Sequence, residues 1–222
     1  MAMQPIVIYG AGGFAREVLT LIEDINRERA RWQVIGFLDD NAASVGRSMN
    51  GHPILGGLDW LDSANALPHV ALGVGNPATK RKLACSLRGR VAGFPQLVHP
   101  NVVMSSRVDM GEGVIITAGN ILTTEIRLGD FSMLNLMCTV GHDSTIGEYA
   151  TVSPGVNVSG NVRIGEGADI GTGVKIVQGV GIGEWTIVGA GAVVARDLPP
   201  NCTAVGVPAK PIKLREPGWH LE

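Results

Sequence analysis

A βαβ domain followed by a parallel β-helix is the fold class this sequence predicts, and three observations carry it. An aliphatic residue or Met stands at every sixth position from Val98 through Met104, Met110 and Ile116 to Ile182, Val188 and Val194, with no step skipped. The next residue is usually small or polar, as at Gly111, Gly129, Gly141 and Gly147, and four places on it is usually small or β-branched, as at Val102, Val108 and Val114. Residues 1–97 lack this rhythm and alternate apolar runs with glycine turns and a helical stretch. A period of six fits neither an amphipathic helix nor a simple hairpin. It is the signature of stacked repeats sharing a continuous core, in which three hexads close one triangular coil of about 18 residues, giving about five to six coils.

The division expected is 1–97 for the first domain and 98–222 for the prism with its C-terminal extension. Charged residues make up 17% of the chain and hydrophobic ones 45%, a globular rather than disordered balance. A net charge of −2 argues against nucleic-acid partners and against a polybasic membrane anchor. Cys85, Cys138 and Cys202 form no CxxC pair, which predicts a reducing compartment and no zinc site. With no signal-peptide pattern and no apolar run of spanning length, the expectation is a cytoplasmic protein without membrane insertion.

In chain order, Pro5 to Tyr9 reads as a buried strand. The glycine turn from Gly10 follows, and then Val18, Leu19, Leu21, Ile22 and Ile25 at helical spacing. Val34 to Leu38 is a second strand ending in Asp39 and Asp40. Gly51 to Leu55 and Leu58 to Leu61 are short elements. Val70 to Val74 is a third buried strand ending in Gly75-Asn76-Pro77, and Ala78 to Leu87 reads as a basic helix. Strand, glycine turn, helix, strand is the βαβ unit of a parallel sheet.

Gly10-x-Gly12-x-x-Ala15, within Gly10 to Glu17 (GAGGFARE), matches the dinucleotide fingerprint of a Rossmann-like domain. Backbone N–H groups at the helix start, around Gly12, Gly13 and Phe14, suit a phosphate. Asp39, at the end of the second strand, stands where a ribose hydroxyl is accepted. The competing reading is that the glycines only permit a tight turn. Asp40 reads equally as ligand or turn residue. Gly73-x-Gly75-Asn76 reads equally as a wall of the same crevice or as a turn. About 97 residues hold only half of a doubly wound fold, which favours a nucleotide other than NAD.

On the prism, most residues only build the coil, so chemistry is sought where the pattern breaks. His142 occupies the third place of its hexad and therefore points away from the core. Imidazole is the usual general base near neutral pH. Asp143 follows it; neighbours face opposite sides on a straight strand, but at a coil corner both can lie outside. The bland alternative is two solvated corner residues. One coil later, Gly160 stacks on the His142 position, where its N–H can serve an oxyanion and its lack of a side chain lets a substrate approach. Met133, Leu136 and Met137 are apolar at outward places beside Asn135. They predict either a subunit interface or burial under a loop or the N-terminal domain. Cys138, at the fifth place of its hexad, points inward and makes a poor nucleophile.

These motifs together resemble a known family. Hexad prisms of this kind look like left-handed parallel β-helix acyltransferases. The whole chain resembles the sugar O- and N-acyltransferases of the sialic-acid O-acetyltransferase type, including bacterial N-acetyltransferases of nucleotide-linked 4-amino sugars. The resemblance rests on GAGGFARE, GFLDD (Gly36 to Asp40), GVGNPATKRK (Gly73 to Lys82), LVHP (Leu97 to Pro100), VGHDSTIGE (Val140 to Glu148) and VGVPAKPI (Val205 to Ile212), in that order. It implies a homotrimer, with acetyl-CoA in the groove between neighbouring prisms and a nucleotide-sugar acceptor held mainly by the N-terminal domain. It implies His142 as general base with Asp143 as its partner, Asn135 as the family's asparagine, and Gly160 as the glycine whose amide faces the thioester oxygen. Thr172, Gly173 and Ala190 then line the pantetheine and adenine, and Lys210 lies near the coenzyme A end. Phe14 departs from the histidine that many amino-sugar enzymes carry there, and Asp143 is shorter than the glutamate some carry.

The expected reaction is direct acetyl transfer without a metal, most simply to the amine of a 4-amino sugar. The alternatives are O-acetylation of a sugar hydroxyl, an NAD-type oxidoreductase with a structural prism, and a non-catalytic nucleotide-binding scaffold.

Overall fold

In the computed structural model, which describes residues 3–64 and 66–221, an α/β domain sits on one face of a left-handed parallel β-helix. The first domain is a five-stranded sheet of β1 (Gln4–Tyr9), β2 (Trp32–Leu38), β3 (Ser48–Met49), β4 (His52–Gly56) and β5 (His69–Leu72), ordered β3-β4-β2-β1-β5. The strands β1, β2, β4 and β5 run parallel and β3 turns back antiparallel on β4. Helix α1 (Gly13–Glu28) buries Ala15, Val18, Leu19, Leu21 and Ile22, the apolar stripe expected of an amphipathic helix. A short α2 (Trp60–Ser63) precedes β5, and α3 (Pro77–Leu87) follows it with Pro77 in its first turn. The chain leaves β1 toward β2 on one side and reaches β5 on the other. The ends of β1 and β5 are therefore the topological switch point, where ligands of such sheets bind.

The prism has three faces joined by corners. The first face carries Leu97–Val98, Ile115–Ile116, Met133–Leu134, Thr151–Val152, Asp169–Ile170, Ile187–Val188 and Cys202–Val205, closed by the antiparallel strand Lys210–Leu214. The second carries Val103–Met104, Ile121–Leu122, Thr139–Val140, Asn157–Val158, Lys175–Ile176 and Val193–Val194. The third carries the five strands from Val108–Met110 to Gly181–Ile182. Pairing advances by 18 residues per coil, as in Thr139↔Asn157 and Val140↔Val158, until the last coil shortens and Ile187 pairs with Thr203. The hexad residues from Ile116 to Val194 form one continuous buried column, while Val98, Met104 and Met110 are only partly buried at the open first coil.

Each corner repeats one backbone device. A residue in the left-handed region recurs at Asp143 and Asn161 on one corner, and at Phe131, Tyr149 and Trp185 on another. Asp and Asn tolerate this conformation comparatively well. The aromatic residues there pack instead: Phe131 stacks on Tyr149 at 5.6 Å, with Phe94 edge-on to Phe131.

The first domain covers the first face. Of the two readings of the outward apolar patch, Met133 takes burial: it is only 4% exposed and packs with Leu97, Ile115 and the core side of α1. Of the patch, Leu136 and Met137 do face outward, Met137 at 72% exposure. The helix read as basic also differs: Lys80 is fully enclosed at the junction. No helix among the described residues is long and apolar enough to cross a membrane.

Candidate active site

His142 and Asp143 sit on the corner between the second and third faces, immediately after Thr139–Val140. Asp143 has a φ of 59°, and this bend turns its side chain back toward the preceding ring. His142 Nδ1 and Asp143 Oδ2 are 2.7 Å apart, with both side chains about half exposed, at 50% and 53%. A carboxylate on Nδ1 fixes the tautomer with its proton on Nδ1, which leaves the Nε2 lone pair free. The Nε2 edge lies against Gly160, where an added Cβ would come within 2.6 Å of both Nε2 and Cε1. The space above Gly160 is thus filled by the imidazole itself, not left open for substrate as the stacking of coils suggested. The Gly160 carbonyl accepts from the Gly179 N–H at 3.0 Å, whereas its own N–H meets no acceptor among the described residues. A free N–H beside a free imidazole nitrogen is a pairing of oxyanion donor and base.

Asn135, Thr172, Gly173 and Ala190 stand elsewhere. They line the corner between the first and second faces, in a ladder where Gly155 N–H donates to Leu136 O at 2.9 Å, Gly173 N–H to Pro154 O at 2.9 Å, and Gly191 N–H to Thr172 O at 2.8 Å. Cβ atoms at Gly155, Gly173 and Gly191 would meet nothing, so this edge is open to an extended ligand along the prism axis. The Asn135 side chain accepts from the Leu136 N–H at 2.7 Å and its carbonyl from Asn120 Nδ2 at 3.1 Å. Within one chain the whole second face separates this edge from His142. Lys210 begins the exposed closing strand of the first face. Cys138 is buried, and burial pushes its thiol up to about 11, the wrong direction for a nucleophile.

At the switch point, Gly12 caps α1 with no side-chain hydrogen bond, and Cβ atoms at Gly12 and Gly75 would meet nothing within 4 Å. The first-turn N–H groups therefore have no side chain capping them, and two backbone stretches border open space. Gly10 holds a φ of 113° that a side chain would resist. Close packing continues at Gly73, whose Cβ would strike Ala15 at 2.7 Å. Phe14 is partly buried against the first-domain core.

Three of the polar residues expected to meet a ligand already have partners. Asp39 Oδ2 accepts from the Ala11 N–H at 2.8 Å and Oδ1 from the Asn41 N–H at 2.9 Å, so its carboxylate first of all closes the glycine turn. Asp40 Oδ1 accepts from Tyr9 Oη–H at 2.5 Å; burial and this carboxylate both push the Tyr9 phenol well above its ordinary range. Asn76 Oδ1 caps α3 through the Thr79 N–H at 2.9 Å. The described residues contain no cluster of three or more His, Cys, Asp or Glu able to hold a metal.

The chain is similar to known proteins in sequence and in fold. Residues 5–87 match the family described as the PglD N-terminal domain. GDP-perosamine N-acetyltransferase of Escherichia coli O157:H7 is 31% identical over 140 residues, a match that spans 63% of this chain and 62% of that relative's length. A histidine-to-asparagine variant of perosamine N-acetyltransferase from Caulobacter crescentus, in complex with CoA and GDP-perosamine, superposes with a TM-score of 0.87 at 31% identity, covering 96% of this chain and 98% of that one. The acetyltransferase domain of PglB from Neisseria gonorrhoeae FA1090, in complex with acetyl coenzyme A, gives 0.87 at 31% identity, covering 95% and 100%.

Proposed function

This chain belongs to the hexapeptide-repeat sugar acyltransferases, and from that premise we propose that it transfers the acetyl group of acetyl-CoA to the amine of a nucleotide-linked amino sugar. The observation that carries the reading is the His142–Asp143 pair at 2.7 Å with its free imidazole edge against Gly160. The acceptor nitrogen attacks the thioester carbonyl carbon, and His142 Nε2 takes its proton. Asp143 stabilises the resulting imidazolium. The Gly160 N–H faces the developing oxyanion, the carbon–sulfur bond breaks, and coenzyme A leaves as thiolate, to which the proton passes directly or through water.

The nucleotide occupies the crevice between Gly10–Phe14 and Gly75–Asn76, with its phosphates at the start of α1 and Asp39 and Asp40 bordering it. Asp39 keeps lone pairs for a ribose hydroxyl beyond the two backbone bonds it already accepts. Acetyl-CoA fits the open edge lined by Thr172, Gly173 and Ala190, reaching toward Lys210 at the base. One chain keeps that edge a full face away from His142, so the reading requires a second copy: the His142 corner of one prism meets the Asn135–Ala190 corner of its neighbour in a homotrimer, with Leu136 and Met137 in the contact. The three free cysteines suit the cytoplasm, where the acetyl donor is made.

The test is release of free coenzyme A with acetyl-CoA and a panel of nucleotide sugars headed by GDP-perosamine. Acceptor-dependent release supports the reading. No release with any amine or hydroxyl acceptor, from protein that binds the nucleotide, overturns it in favour of a non-catalytic scaffold.

A further inference from the structure

We infer that Lys80 is a positioning residue that fixes the Gly75–Asn76 loop, and with it the acceptor, relative to the coil that bears His142. This rests on the acetyl-transfer reading above and adds a residue to it. Lys80 lies one turn into α3, and its backbone N–H donates to Asn76 O at 3.0 Å. It is 2% exposed. Its Nζ donates to Phe131 O and to Ala150 O, each at 3.1 Å. Those carbonyls mark the beginning and the end of one turn of the prism, and that turn contains Asn135, His142 and Asp143. The next residue, Thr151, donates its hydroxyl to Gly75 O at 2.6 Å. The loop is therefore held at its carbonyl by Thr151 and at its helix by Lys80, both against the same coil.

The chemistry of the junction asks for an explanation beyond stability. Burial pushes the Lys80 ammonium down to about 7; Asp169 on the neighbouring strand is the charged group that opposes this. A buried cation is expensive, and an apolar side chain of similar length commonly serves stability as well or better. What an apolar residue cannot do is hold two carbonyls of one coil in fixed register with the α3 start. Phe131 O receives no other hydrogen bond among the described residues, whereas Ala150 O also accepts from the Met133 N–H at 2.9 Å. Removing the amine therefore orphans one carbonyl at the aromatic corner and frees the loop to shift. Transfer tolerates little displacement between the reacting groups, and an error of about 1 Å from a distant change can cost on the order of 10²-fold.

The experiment is steady-state kinetics of Lys80→Met on the full-length protein, with acetyl-CoA and the panel sugar of highest turnover. The expected result is a roughly tenfold rise in acceptor KM with a roughly tenfold fall in kcat, while the acetyl-CoA KM stays within about twofold. Lowered melting temperature with acceptor KM and kcat unchanged, measured well below melting, overturns the role and leaves Lys80 a structural residue. Thr151→Val removes only the contact to Gly75 and covers the case in which the lysine variant does not fold. It should raise acceptor KM about threefold, and no change there also overturns the inference. Wild-type turnover in the same assay reports on acetyl transfer by itself, so an active wild type beside an indistinguishable variant sinks only the Lys80 role.

Discussion

Replacing His142 with alanine separates the base from the fold. The ring is half exposed and its one polar contact is the 2.7 Å bond to Asp143, also half exposed. Exposed pairs of this sort contribute about 0–1 kcal/mol. The substitution also uncovers the Gly160 backbone, which is buried with the ring lying against it. For a chain of this size a loss of about 1 kcal/mol moves the melting temperature by about 2–4 °C, and that is the upper bound expected. The rate loss is of another order: removing a general base typically costs about 10²–10⁴-fold. It should fall on kcat, with the acetyl-CoA KM little changed, because the ring acts on the transition state. The assay is free coenzyme A release across the pH range, beside a thermal melt. An amine acceptor gains free base as pH rises, so part of the variant's rate should return in alkali. A hydroxyl acceptor, with a far higher pKa, should show almost none. A variant with wild-type kcat and an unchanged melt would refute the base assignment; a dead variant without alkaline rescue would favour O-acetylation.

Further expectations follow from the same geometry. Gly160→Ala places a Cβ 2.6 Å from the imidazole, and because the ring is the far end of a half-exposed side chain it swings away; kcat should fall at least about tenfold with the melt within about 1 kcal/mol of wild type, and a fully active variant would show that the ring need not lie there. Asp143→Asn keeps the left-handed backbone and an acceptor oxygen but loses the charge, so kcat should drop about five- to tenfold, the difference of about 1 kcal/mol between charged and neutral hydrogen bonds. Denaturant melts should register the buried amine. The Lys80 value falls to about 7 in the fold against about 10.4 unfolded, so the unfolded chain holds the proton over that window and wild-type stability should rise with pH relative to Lys80→Met, by at most about 1.4 kcal/mol per pH unit; a constant difference from pH 7 to 9 would contradict the burial. Leu136→Asp at the outward corner should shift sedimentation from roughly three times 23.2 kDa toward one, with loss of activity in step; a monomeric wild type that is fully active would remove the shared groove.

The prism was legible because each coil meets only its neighbours, so the same inward position is specified again in every turn and a single phase survives from Val98 to Val194. His142 stood out as an imidazole at an outward place, but whether Asp143 shared its side depended on the left-handed bend, which strand alternation cannot supply. For Met133 the sequence leaves interface and burial open, and the column it belongs to decides for burial under the first domain. Its outward direction was correct, yet its column mates Leu97 and Ile115, spaced by 18, are apolar too, and together they form the footing for α1. That signal was present at the coil spacing rather than the hexad spacing. Asp39 and Asp40 stand just past the end of β2, and Asn76 stands at the start of α3 after β5. Their first partners are Ala11 and Asn41 N–H, Tyr9 Oη and Thr79 N–H, bonds that a carboxylate or amide makes as readily as a ligand contact and that the sequence alone does not distinguish. Lys80 left no local trace: Thr79-Lys80-Arg81-Lys82 reads as a solvated basic face, and only the docking of α3 on the prism encloses one of its charges.

These cases divide along one line. What a coil or helix decides within itself was readable, and what depends on two bodies meeting was not. The open edge at Gly155, Gly173 and Gly191 and the His142 corner extend the same division beyond the chain. Each is complete as local structure, the second face separates them, and in the proposed trimer each is half of a site. One sequence can encode both halves in such a trimer because each copy presents one edge to each neighbour, as a heterologous contact closed into a ring requires. On the proposed reading the α/β domain then has to be registered against the prism more tightly than its own packing demands, since the acceptor it would carry must reach a thioester held between two copies. The bonds from Lys80 and Thr151 to the one coil bearing His142 supply that registration within the chain, before any partner is engaged.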